Sequence, residues 1–93
     1  MTDEISIEFD PVKDAKNLAK HRVSLEAAVD FEWETARTVE DQRFKYAEPR
    51  FEATGWMRGR LHIAVYCYRG NKTRMISLRK ANEREFDNYV GKA

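Results

Sequence analysis

The sequence predicts an α+β domain with an antiparallel β-sheet, two N-terminal helices and a short C-terminal helix. Three observations support this class. Apolar residues recur at helical spacing between residues 11 and 31, three runs of alternating polarity follow at 50–57, 60–68 and 72–79, and a capped helical segment occupies 82–90. Short links that contain glycine join the three runs, so we expect an antiparallel meander.

Start signals predict the N-terminal elements. Residues 4–9 alternate apolar and polar side chains, which is the period of a half-buried strand. Asp10 is a favoured N-cap and Pro11 suits a first helical position, so a helix is expected from there to about Lys20. Ser24 can cap a second short helix that reaches about residue 31. The apolar residues at helical spacing in the first helix are Val12, Ala15, Leu18 and Ala19.

Turn and cap residues predict the remaining elements. Residues 35–40 are a strand candidate, and residues 41–49 form a charged connection that ends in a proline. Asn82 is a favoured N-cap for the last helix, which Gly91 ends. We expect the N–H groups at this helix start to attract an anion beside Arg79.

Size and composition indicate one globular domain over residues 1–93. Hydrophobic residues make up 42% and charged residues 35% of the chain, which is too apolar for a disordered protein. Cys67 is the only cysteine, so an internal disulfide or a cysteine-cluster zinc site is excluded. The sequence shows neither a membrane span nor a signal peptide, and a cytoplasmic location is expected.

Charge is distributed unevenly along the chain. Residues 1–48 hold seven Lys/Arg and twelve Asp/Glu, a balance of 7 − 12 = −5, whereas residues 49–93 hold ten and four, a balance of 10 − 4 = +6. A basic half favours a polyanionic partner such as nucleic acid. Folding can equally intermix these charges on an ordinary solvated surface, and both interpretations stay open on the count alone.

Alternation within the strands predicts one packed and one open side of the sheet. Residues expected in the core are Phe51, Ala53, Met57, Leu61, Ile63, Val65, Cys67, Ile76 and Leu78. Residues expected on the open side are Arg50, Glu52, Thr54, Trp56, Arg60, His62, Ala64, Tyr66, Tyr68, Met75, Ser77 and Arg79. Cations beside aromatic rings suit single-stranded RNA better than duplex DNA.

RNA cleavage without a metal needs a proton acceptor for the 2′-hydroxyl, a cation for the phosphorane and an acid for the leaving oxygen. Arg79, with Arg60 or Arg74, can supply the cation, although the phase of Arg74 favours a structural role. The candidates for proton transfer are Glu52, His62, Lys20 and His21. Neither a metal site nor a cofactor is predicted.

Other residues are candidates for RNA binding, each with a structural alternative. Trp56 and Tyr66 can stack bases, or pack within the fold. Lys80 and Tyr89 follow Arg79 and can extend the site, or in the case of Tyr89 merely pack there. An ion pair is the alternative for Arg79, and helix capping is the alternative for Lys20 and His21.

Two blocks of residues resemble the BrnT family of ribonuclease toxins. The first contains Phe9-Asp10-Pro11, Lys13, Asn17, Lys20-His21 and Val23-Ser24. The second contains Gly59-Arg60-Leu61, Arg74, Ile76-Ser77, Arg79-Lys80-Ala81, Glu85 and Tyr89. This chain departs from the family at Arg22, where Gly is usual, and at Leu78, where a small Ala is usual. Arg22 therefore raises the question whether this turn needs a positive backbone φ.

The resemblance implies a single RelE-like toxin domain, a type II toxin-antitoxin system and metal-independent RNA cleavage that arrests growth. It also implies a ribbon-helix-helix antitoxin similar to BrnA, with operator DNA bound only through that antitoxin. The alternative from another class is a non-catalytic interaction module or corepressor that acts with a DNA-binding partner. A toxin fold that has lost catalysis is a third interpretation.

Overall fold

The computed structural model describes residues 6–91, in which two α-helices and two 3₁₀ helices accompany five strands. The strands are β1 (Ile7–Glu8), β2 (Arg37–Asp41), β3 (Arg50–Met57), β4 (Arg60–Arg69) and β5 (Lys72–Lys80). The helices are α1 (Pro11–His21), the first 3₁₀ helix (Leu25–Asp30), the second 3₁₀ helix (Trp33–Thr35) and α2 (Glu83–Tyr89). Residues 4–5 of the predicted first strand lie outside the described residues.

The strands form one mixed sheet in the order β1-β5-β4-β3-β2. Strands β2 to β5 are antiparallel neighbours, which confirms the predicted meander, whereas β1 runs parallel to β5 with Ile7 opposite Thr73. The prediction of a wholly antiparallel sheet is therefore wrong. No hairpin joins β1 to β5, so no tight turn imposes an antiparallel orientation on them.

The helix starts follow the predicted caps. The Asp10 carboxylate accepts a hydrogen bond from the N–H of Val12, and Ser24 caps the next helix by accepting from the N–H of Glu26. That second helix is of the 3₁₀ type, which is typical of short segments. Residues 33–35 form another 3₁₀ turn, so β2 begins at Arg37 instead of the predicted residue 35. Arg22 has φ of 61° at the end of α1, so this turn does require a left-handed residue.

α1 covers the outer edge of β5 through a polar residue. The Asn17 amide donates to the carbonyl of Leu78 at 2.8 Å and accepts from the N–H of Leu78 at 3.1 Å. It thereby satisfies the backbone of Leu78 on the part of β5 that β1 is too short to reach, and the same amide donates to the carbonyl of Val23. The apolar side chains of Val12 and Leu18 remain 61% and 50% exposed.

The main core lies between the sheet and the first 3₁₀ helix, on the side that we call the core face. Its buried residues include Leu25, Ala28, Phe31, Ala53, Met57, Ala64, Tyr66, Met75 and Leu78. The predicted open side of β4 is therefore wrong: Ala64 and Tyr66 are 0% and 3% exposed within this core. Leu61 and Ile63, which lie on the opposite side, are also buried at 2% each. With both sides covered, alternating polarity does not identify the side that holds the main core.

A β-bulge changes the phase of β5. Val65 pairs with Ser77, but the next residue, Tyr66, pairs with Met75, which leaves Ile76 as an extra residue. Met75 therefore belongs to the core face and is 1% exposed, contrary to its predicted place beside Ser77 and Arg79.

The opposite side of the sheet, the α2 face, is defined by Glu52, Thr54, Trp56, Leu61, Ile63, Val65, Ser77 and Arg79. Helix α2 packs there, because Phe86 and Tyr89 contact the ring of Trp56 at centroid distances of 6.2 and 6.1 Å. All three rings retain solvent exposure, so this face is less tightly closed than the core face.

Candidate active site

The structure distributes the predicted site residues over several places. Glu52, Trp56, Arg79 and Tyr89 gather on the α2 face, and Lys20 and His21 end α1 beside it. Arg60, His62 and Lys80 line a separate groove at the end of the sheet. Tyr66 lies in the main core. Arg60 therefore does not share the face of Arg79, because its cross-strand partner is the core-face residue Met57.

Arg79 is held by a bidentate ion pair with Glu85. Its Nη1 and Nη2 atoms each donate to one carboxylate oxygen at 2.8 Å, and Nη1 also donates to the carbonyl of Lys80. The same carboxylate accepts from the N–H of Asn82, which closes a capping box. Glu85 therefore supplies a negative charge at this helix start from within the helix, and binding of a further anion beside Arg79 stays a prediction.

One edge of the Arg79 guanidinium remains available. A guanidinium has five N–H donors, and the contacts with Glu85 and Lys80 use three of them. The Nε–H and the second Nη2–H make no hydrogen bond with the residues that the structure describes, and the side chain is 32% exposed. These two donors have the side-on fork geometry with which a guanidinium can bind a phosphate.

The groups around Arg79 are coupled electrostatically. Partial burial and the charges of Lys20 and Arg79 lower the pKa of His21, which favours its neutral, proton-accepting form at pH 7. The hydrogen bonds with Glu85, together with the negative charge of Glu52, raise the pKa of Arg79. Arg79 is thus within electrostatic reach of both His21 and Glu52, although the three residues are distant in sequence.

Aromatic residues border this cluster but are already in contact with other groups. Trp56 meets the rings of Phe86 and Tyr89 edge to face, with interplanar angles of 83° for both. Arg37 places its guanidinium carbon 4.8 Å from the centroid of the Tyr89 ring and donates to the carbonyl of Tyr89. Trp56 and Tyr89 therefore hold α2 against the sheet.

His62 is buried at 4% exposure in the wall of the groove. Its Nδ1 lies 2.8 Å from the carbonyl oxygen of Arg60, which accepts a hydrogen bond when Nδ1 carries the proton. Burial, together with the charges of Lys80, Arg60 and Arg58, lowers the pKa of His62. The neutral ring then keeps Nε2 as an acceptor, which is a second possible proton acceptor outside the Arg79 cluster.

Tyr66 does not present its ring for base stacking. Burial raises its pKa to about 12, and the rings of Trp33, Phe51 and Tyr68 surround it at centroid distances of 5.1, 5.8 and 5.6 Å. Arg74, whose phase favoured a structural role, contacts Glu8 of β1 at 2.7 Å.

Glu85 and Arg37 are site neighbours that the prediction of functional residues missed. The Asn-x-x-Glu spacing of residues 82–85 is a capping-box signal and could have identified Glu85. No comparable signal exists for Arg37, which reaches α2 only through the tertiary fold. Within residues 6–91, no three His, Cys, Asp or Glu side chains form a group that could hold a metal ion.

This fold and cluster define a class: a small α+β protein with an arginine fork and titratable side chains at one corner of a mixed sheet. Residues 9–85 match the family model described as the ribonuclease toxin BrnT of type II toxin-antitoxin systems. The chain belongs to the BrnT family, as the two sequence blocks predicted. Membership implies an RNA target and an antitoxin partner at the level of the family.

A solved structure supports the same fold. The crystal structure of the Brucella abortus ribonuclease toxin BrnT matches with a TM-score of 0.65 and 24% identity, covering 85% of this chain and 99% of that chain. No curated protein sequence matches. Among the described residues, no helix is both long and apolar enough to cross a membrane.

Proposed function

We propose that this protein is a metal-independent, RelE-like endoribonuclease toxin that cleaves RNA at the Arg79 corner of the α2 face. The observation that carries the proposal is that Glu52 and Arg79 share the α2 face of the sheet, with His21 beside it at the end of α1. The site then contains both a cation, Arg79, and groups that can transfer protons, His21 and Glu52. RNA cleavage needs both kinds of group.

Arg79 would stabilise the charged phosphorane with its Nε and Nη2 donors, while Glu85 positions the guanidinium from the other edge. His21 or Glu52 would accept the proton of the 2′-hydroxyl as its oxygen attacks the phosphorus atom. The bond from phosphorus to the 5′-oxygen breaks, and a protonated group such as Lys20 gives a proton to that oxygen. The products are a 2′,3′-cyclic phosphate and a free 5′-hydroxyl.

We further propose that a ribbon-helix-helix antitoxin covers the α2 face and blocks this site, with operator DNA bound through the antitoxin. Exposed apolar side chains support a protein partner there: Val39, which pairs with Glu52, is 56% exposed, and Phe86 is 39% exposed. An added antitoxin is then expected to abolish both RNA binding and cleavage.

The experiment is expression of the free protein followed by mapping of cellular RNA ends, with purified variants assayed on the RNA so identified. Arg79→Ala should lower the cleavage rate about 10²- to 10³-fold, as is typical for loss of a transition-state donor. Arg84→Ala, which removes an exposed cation from the same helix region, is the matched control and should retain activity.

Circular dichroism must show that both variants fold. Growth arrest without new RNA ends would reject ribonuclease activity, and undiminished cleavage by Arg79→Ala would remove Arg79 from the mechanism.

A further inference from the structure

A groove of about 510 Å³ lies at the end of the sheet, between the first 3₁₀ helix and the ends of β3, β4 and β5. Its lining combines an apolar floor with a cationic rim. Val23, Ala27 and Met57, exposed by 9%, 8% and 2%, contribute to the floor. The rim contains the cations Arg22, Arg58, Arg60 and Lys80.

The groove has an excess of positive charge. Glu26 is the one acidic residue among its lining residues. Arg58 is compensated by Asp30 at 2.7 Å, whereas Arg22, Arg60 and Lys80 form no ion pair with any part of the chain that the structure describes. All three are exposed. Their charges are therefore available to an anionic ligand.

The groove adjoins the Arg79 corner through two pairs of consecutive residues. Arg79 lies on the α2 face, and the next residue, Lys80, pairs with His62 and lines the groove. In the same way, the charge of Arg79 contributes to the lowered pKa of His21, and the next residue, Arg22, lines the groove. Arg79 and Lys80 project from opposite sides of β5 at its end, so an RNA strand that contacts both places passes around this end of the sheet.

We propose that this groove binds the RNA strand next to the scissile phosphate. Phosphates contact Arg22, Arg60 and Lys80, and an unstacked base lies against Val23, Ala27 and Met57. This arrangement suits single-stranded RNA, because a flat apolar base flanked by phosphates matches an apolar floor with a cationic rim. The inference rests on the proposed function, since it extends the RNA path from Arg79.

The test uses a fluorescein-labelled 2′-O-methyl RNA of mixed sequence, which lacks the attacking hydroxyl and cannot be cleaved by this chemistry. Fluorescence anisotropy gives its affinity over a series of salt concentrations. The double variant Arg60→Gln/Lys80→Gln should bind about tenfold more weakly at low salt. The slope of log affinity against log salt should fall by about 1.4, because each phosphate contact with a single strand contributes about 0.7.

Lys16→Gln/Lys72→Gln is the matched control, because it removes two exposed cations outside the groove. It should change the affinity less than twofold. Equal affinity and slope for the groove and control variants would overturn the proposal. The proposal would also be overturned if the groove variant bound RNA normally but no longer bound an acidic protein partner.

Failure of this inference can be told apart from failure of the proposed function. If Arg79→Ala abolishes cleavage but the groove variant binds RNA normally, the groove assignment alone is wrong. If the groove variant loses RNA affinity while Arg79→Ala still cleaves, the catalytic assignment is wrong and the groove stands.

Discussion

The two faces of the sheet differ in how they are closed. The core face is covered by the first 3₁₀ helix, with Leu25, Ala53, Ala64 and Leu78 at 0% exposure. The α2 face is covered by a seven-residue helix with no buried residue, attached through partly exposed rings and the Arg79–Glu85 ion pair. Apolar burial stabilises the first face, whereas the contacts of the second can be exchanged for contacts with a ligand.

The largest expected effect tests this contrast in stability. Leu25→Ala should lower the free energy of unfolding by about 3 kcal/mol, because the side chain is fully buried and leaves a cavity. Phe86→Ala on the α2 face should cost about 1 kcal/mol, since the ring is 39% exposed. Urea denaturation measures both values.

Leu18→Ala serves as the control for Leu25→Ala, because Leu18 is 50% exposed on α1 and should change stability by no more than about 0.5 kcal/mol. Equal costs for Leu25→Ala and Phe86→Ala would show that the two faces contribute alike, contrary to the comparison.

A smaller effect is expected where α1 ends, at the corner between the two faces. Arg22 holds a φ of 61°, which is unfavourable for a residue with a side chain. Arg22→Gly should therefore raise the free energy of unfolding by about 1 kcal/mol, measured by urea denaturation. Arg22→Ala keeps a Cβ and should give little or no gain. If Arg22→Gly and Arg22→Ala have the same free energy of unfolding, the positive φ of Arg22 does not lower the stability of the protein.

The dependence of stability on pH should show a smaller effect still. The relevant lowered pKa is mainly that of His62, and it affects stability only below the ordinary pKa of a histidine. Burial lowers the pKa of His62 below 6.5, so the unfolded chain binds more protons than the folded chain just below that pH. Stability should be fully present above pH 6.5 and fall as the pH decreases towards the lowered pKa. The cations Lys80, Arg60 and Arg58 oppose protonation in the same direction.

Urea denaturation between pH 7 and 5 should show a shallower loss of stability for His62→Gln than for the wild-type protein. His21→Gln should give a smaller change, since His21 is only partly buried. Identical pH profiles for wild type and His62→Gln would contradict a neutral buried His62 on the core-face side. The carboxylates with lowered pKa act below about pH 4.5 and do not enter this window.

Elements specified by local signals were predictable, and so was the facing of β3, whereas the facing of β4 and of Met75 was not. The caps Asp10, Ser24 and Asn82 all start helices in the structure, and β3, β4 and β5 deviate from their predicted bounds by at most one residue. The bulge at Ile76 shifts Met75 to the core face, and nothing in the alternation of residues 72–79 marks it. Because β4 is buried on both sides, the alternation of its residues does not show which side faces the main core.

Signals along the chain were sufficient for the class of fold, the main helices, the hairpin strands and membership of the BrnT family, because capping, turn chemistry and motif spacing act over short distances in sequence. Three features became visible only in the folded molecule: the parallel pairing of β1, the ion pair of Arg79 with Glu85, and the separation of Arg60, His62 and Lys80 from the Arg79 corner. These features depend on contacts between distant residues, and such contacts compete through packing and charge after the local elements have formed.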